Sequence, residues 1–139
     1  MAGERGFEMA SGKTNYAEGK VLDHMLGVAT WGAVTAYIAL FTVAPSDAGG
    51  GTEVTGGSYA RVAAASKFAT AGGVGTSANT AEVAFAEATA SWGTVVAFAL
   101  FDASSGGNML SYGDLTTSRT IGTGVVARFP IGTLVFNED

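Results

Sequence analysis

Few residues in this chain could carry covalent chemistry, and their spacing is informative mainly through what is missing. There is one histidine, His24, next to Asp23 in a stretch that reads as helix. A zinc site draws three or four ligands from His, Cys and carboxylate side chains. The chain has no cysteine, and His24 has no second histidine to join it. A serine nucleophile would need His24 as its base, yet "GGSYA" around Ser58 lacks the closing glycine of a nucleophile elbow. "GFEMASGKT", Gly6 to Thr14, has the letters of a phosphate loop but five residues between its glycines, where the motif needs four. Asp47 with Glu53, or Asp102 with Asn108, could offer oxygens to Ca²⁺, but neither pair follows the spacing of a calcium loop. Turn formation by Asp and Asn explains both loops more simply. The expectation is a protein with no catalytic residues, no metal and no cofactor, and therefore not an enzyme.

The aromatic residues divide into two groups. Tyr37, Phe41, Phe85, Trp92, Phe98, Phe101 and Phe129 lie in runs of period two and are expected in the core. Trp31, Tyr59 and Tyr112 stand near predicted strand ends, where a sugar-stacking platform could form. Two segments nearly repeat one another: "WGAVTAYIALFT" from Trp31 and "WGTVVAFALFD" from Trp92. From tryptophan to leucine the first spans nine residues and the second eight. In a strand, that difference of one turns the tryptophan to the opposite face. The Ala-Leu-Phe parts can then be equivalent core strands, while the tryptophans are equivalent only if the first copy contains a bulge. Trp92 is expected as a packing anchor and Trp31 as the one that faces a partner.

The elements that must position these residues follow from periodicity. Asn15 to Leu26 reads as one short helix, with Asn15 as N-cap, Glu18 completing the cap and Gly27 just past the end. Beyond Trp31 the period becomes two. Predicted strands cover Tyr37–Val43, Ser58–Ala63, Thr80–Ala86, Thr94–Phe101, Met109–Leu115, Val125–Phe129 and Leu134–Phe136, separated by turns rich in Gly, Ser, Asn and Thr. This pattern predicts an all-β fold, an antiparallel β-sandwich of jelly-roll or immunoglobulin-like type. It carries an N-terminal arm and one short α-helix: residues 1–30 form the arm and helix, residues 31–139 the sandwich.

Composition limits the partners. Hydrophobic residues make up 47% of the 139 and charged residues 14%, against roughly a quarter charged in an average domain. So few charges cover a lone surface poorly, which predicts that neighbours bury part of it. The net charge is −5 and the seven Lys and Arg are scattered, so neither nucleic acid nor an anionic membrane is an expected partner. No apolar run reaches the ~20 residues of a membrane helix. The first residues, "MAGERGFEMASGK", carry both charge signs and no apolar signal core.

In order, "TNYAEGKVLDHMLG", "YIALFTVAPSDAGGGTEVTGGSYARV", "NTAEVAFAEATASWGTVVAFALFDASSGGNMLSYGDL" and "GTGVVARFPIGTLVF" resemble small tailed-bacteriophage virion structural proteins of the tail-fibre-like kind. Gly51–Val62 and Trp92–Gly113 carry the resemblance most specifically. It implies a non-enzymatic structural role in the virion. Because 139 residues leave no room for a fibre shaft, the expected role is capsid decoration, a cement protein on the capsid surface. It would associate with itself, as a trimer, and with other virion proteins such as the major capsid protein. The alternatives are a tail-fibre, collar or tail-tip component and a glycan-binding adhesion module. Phe7, Met9, Tyr16 and Trp31 are the expected assembly contacts, since an arm with so little to fold on needs a partner to hold it.

Overall fold

The computed structural model describes residues 8–9, 12–73 and 75–138. Two short strands, β1 (Glu8–Met9) and β2 (Gly12–Lys13), lead into helix α1 (Asn15–Met25). Then come β3 (Tyr37–Val43), β4 (Thr52–Glu53), β5 (Val62–Ala63), β6 (Thr76–Ala78) and β7 (Val83–Ala84). The longest strands, β8 (Gly93–Phe101) and β9 (Met109–Ile121), precede β10 (Arg128–Phe129) and β11 (Leu134–Asn137). The fold is the expected β-sandwich with one helix.

The main sheet has the order β2-β9-β8-β3-β4, with β5 also pairing to β3. A three-stranded sheet, β1-β11-β6, and the pair β10-β7 make up the rest. All pairings are antiparallel except β1 with β11, which is parallel. Alternation along β3 sends Ile38 and Leu40 into the main core, and β8 adds Val95 and Phe98 from either side of an irregularity, against Val83, Phe85, Phe129 and Leu134. Phe98 meets Phe129 and Phe136 edge-on, with ring centroids 6.2 and 5.9 Å apart. The intervening residues, Ala39, Phe41, Ala97, Ala99 and Phe101, form a second cluster on the other face.

The repeated segment lies at the centre of this sheet. Its two Ala-Leu-Phe stretches pair with each other, running in opposite directions about the directly opposed Ala39 and Ala99. Side chains this small leave room above them, and there Phe41 and Phe101 stack with centroids 6.2 Å apart and planes 4° from parallel. Both stretches are core strands, as expected. Trp31 lies outside β3, so no bulge is needed to reconcile the two copies.

Several expected boundaries shift. The cap of α1 is Thr14 rather than Asn15: its hydroxyl accepts from the Ala17 N–H (3.3 Å) and donates to the Met109 carbonyl (2.6 Å). The threonine hydroxyl so bridges the helix start and β9, and Asn15 is the first residue of the helix proper. Gly27, at φ +73°, ends the helix as expected. Ser58–Ala63, Thr80–Ala86 and Val125–Phe129 contract to two-residue strands, whereas β9 continues past Leu115. It does so through a wide bulge: between the pairs Val95–Arg119 and Ala97–Asp114, one residue of β8 faces four of β9. That bulge places Leu115 in the main core and hides the period-two signal. Strands β4 and β6 went unpredicted, because two or three residues of Thr, Glu, Ser and Ala carry no periodicity.

Candidate functional site

The second face of the main sheet opens into a groove of about 640 Å³. Its floor includes Phe41 and Phe101, and its walls are the start of α1, the turn Ala48–Gly51 and the turn Gly106–Asn108. Arg61 dominates one side. Its Nε and Nη2 donate to the two Glu53 carboxylate oxygens at 2.9 and 2.8 Å, and Nη1 donates to the Ala103 and Gly106 carbonyls, each at 2.8 Å. The guanidinium carbon lies 3.7 Å from the Phe101 ring centroid. One side chain thus braces β4, β8 and the loop after β8, in the bidentate geometry that only arginine supplies.

Tyr59 completes the brace. It donates to Glu53 (2.7 Å) and accepts from the Leu40 N–H (3.0 Å), while its ring packs edge-on against Trp92 at 5.3 Å. Burial works to raise the Glu53 carboxyl, but the hydrogen bonds from Arg61 and Tyr59 and the Arg61 charge prevail and hold it below its ordinary value. Burial, followed by the Glu53 bond, pushes the Tyr59 phenol far up. Tyr59 is therefore a partly buried residue packed against the core with a bonded hydroxyl, and the expectation of a sugar platform there is corrected. Tyr112 donates to Asp47, which raises its own phenol.

The two loops considered for calcium are closed by internal bonds. The Asp102 carboxylate accepts from the Asn108 backbone N–H (2.7 Å) and side-chain amide (3.0 Å), and the backbone bond is the first cause of its lowered pKa. Gly107, at φ +75°, lies so close that a Cβ there would come 2.6 Å from Asp102 Oδ1. Glu53 belongs to Arg61 rather than to Asp47. Among the described residues, no three His, Asp or Glu side chains gather as a metal site. His24 Nδ1 accepts from the Trp31 N–H at 3.1 Å, a link that folds the post-helix segment back on α1.

Two polar anchors escaped the sequence reading. Trp92 Nε1 donates to the Gly57 carbonyl (2.9 Å), and Gly57, at φ +57°, has the indole and the Ala90 carbonyl where a side chain would sit. Asn79 is buried; its amide donates to the carbonyls of Ala81, Phe129 and Pro130 and accepts from the Leu134 N–H. Nothing in "TSANTA" distinguishes this asparagine from one in an exposed turn.

Of the expected assembly contacts, Phe7 lies outside the described residues, and Met9 is described only as part of β1. Tyr16 stands at the groove edge, 36% exposed, with Lys20 Nζ 5.5 Å from its ring centroid. Trp31 is half-buried beside Ala17, Val34 and Phe136 in a separate apolar hollow of about 290 Å³. The structure does not bring Tyr16 and Trp31 into one site; each lines its own depression. Apolar exposure concentrates instead on α1 and its exit: Leu22, Met25, Leu26 and Val28 are 53%, 73%, 68% and 72% exposed.

A family model puts this β-sandwich among the bacteriophage fibre proteins. The match covers residues 12–137, and the chain belongs to the family described as podophage GP4 fiber I protein gp80. A comparison with curated proteins yields no match. The family membership bears out the resemblance to phage virion structural proteins. It goes with the fibre alternative rather than with decoration of the capsid surface.

Proposed function

We propose that this protein is a non-enzymatic structural component of a phage tail fibre, held in the virion by contacts with other virion proteins. The family match across residues 12–137 carries this reading. The groove supports it: the charged side chains on its Arg61 side bond to one another and to loop carbonyls, leaving no base poised over a nucleophile. The net charge of −5 and scattered cations support protein partners over nucleic acid or anionic lipid. Antibody labelling of intact virions tests the proposal. Label confined to the tail is expected; label spread over the capsid shell would overturn it in favour of a decorating protein.

A further inference from the structure

Past helix α1 the chain does not enter a strand at once. Gly27, at φ +73°, turns it back, and residues 28–36 run as a strap without helix or strand until β3 begins. The Val28 and Ala29 N–H groups donate to the Asp23 carbonyl at 2.9 and 3.2 Å, which fixes the root of the strap. The Ala36 carbonyl accepts from the Ala64 N–H at 2.9 Å, which fixes its far end. Between those ends, among the described residues, the strap makes one hydrogen bond: the Trp31 N–H donates to His24 Nδ1 at 3.1 Å. Packing agrees with the bonding. From Val28 to Thr35 every residue is exposed except Trp31, half-buried against the apolar hollow that Val34, Leu110 and Phe136 also line. Trp31 is thus held by its own burial and by one imidazole nitrogen.

That nitrogen accepts only while the ring is neutral. A neutral imidazole has one donor and one acceptor, whereas an imidazolium has two donors. Histidine is the side chain whose charge changes between about pH 5 and 8, and His24 is the one histidine of the chain. We propose that His24 is a pH-sensitive latch on the strap. Neutral, it holds Trp31 against the hollow. Protonated, it turns an N–H toward the Trp31 N–H, the bond is lost, and the strap loosens to uncover the apolar lining. The charges around the latch are few. On α1, Lys20 lies one turn before His24 and Asp23 beside it, and the strap itself carries no titratable side chain. Across the hollow Lys13 is paired with Glu138, while Glu18, Asp47 and Asp114 act on Tyr112, near the start of the helix. The latch does not depend on where in the virion the protein sits.

Nuclear magnetic resonance on the full chain, with ¹⁵N in its tryptophans, tests this while the His24 imidazole is titrated in the same sample. Between about pH 8 and about pH 5, the Trp31 amide should come to exchange with water about fivefold faster, after correction for the intrinsic effect of pH on exchange. The midpoint should coincide with that of His24. Trp92, whose N–H donates to the Ile121 carbonyl within the sheet, should show no such change and serves as the internal control. His24→Asn keeps an acceptor oxygen near the place of Nδ1 but cannot be protonated, so its strap should stay held across the range. His24→Ala should leave the Trp31 amide in fast exchange throughout, with the circular dichroism of the folded chain unchanged. A Trp31 amide indifferent to the titration of His24, or a pH response that persists in His24→Asn, would overturn the proposal.

Discussion

The loop end of the sandwich and helix α1 solve opposite problems. At the loop end, Arg61, Glu53, Tyr59, Asp102 and Asn108 satisfy one another and the nearby carbonyls, fixing turns that glycine would otherwise leave loose. On α1 the polar caps are satisfied as well, but the apolar face is turned to solvent. Polar groups used internally make a rigid surface with little left for a ligand. Apolar groups left outside make a surface that gains free energy only when something covers it. The difference separates what holds this fold together from what it offers to other molecules, and substitutions at each end should part accordingly.

The largest effect is expected at the brace. Arg61→Ala leaves the half-buried Glu53 carboxylate with the Tyr59 hydroxyl alone and frees two carbonyls, and should cost about 3 kcal/mol in urea denaturation; a loss below about 1 kcal/mol would mean the loops hold without it. Next comes the contrast between the two tryptophans. Trp92→Phe removes the donor to Gly57 within the core and should cost about 2 kcal/mol, whereas Trp31→Phe should change stability by less than about 0.5 kcal/mol.

A smaller effect is expected from acid. The folded Glu53 carboxyl titrates below its ordinary value of 4.5, so the unfolded chain takes up the proton first as pH falls. Its contribution to stability is full above that value and is lost as pH drops through the lower, folded one. Glu53→Gln should therefore flatten the decline of the thermal midpoint below pH 4.5; a decline equal to that of the wild type would place the acid sensitivity elsewhere. The smallest effect belongs to the helix. Leu22→Ala and Leu26→Ala should stay within about 0.5 kcal/mol of wild type. A larger loss would show that the face is already packed and would erase the contrast with the brace.

Much of this was legible in the residues themselves. Period-two alternation located β3 and β8 almost to the residue, because each is long and has one face in the main core and the other in a second cluster. The helix was legible from its period and from Gly27 past its end, though its N-cap is Thr14 rather than Asn15, and the two loops between strands from Asp, Asn and glycine. The family resemblance was legible in the same order of segments.

Tertiary structure alone decided how those parts meet. Whether Tyr59 stacks on a ligand or locks into the core depends on Glu53 and the Leu40 N–H, six and nineteen residues away. Arg61 finds its remaining carbonyls more than forty residues along the chain, and Asn79 finds two of its three carbonyls fifty and fifty-one residues away. The outward turn of Leu22 and Leu26 could not be read from a pattern of hydrophobicity, which reports that a face is apolar but not what covers it. Local spacing sets which side chains share a face; only the closure of distant strands fixes which of those faces is filled from within and which is left for another molecule.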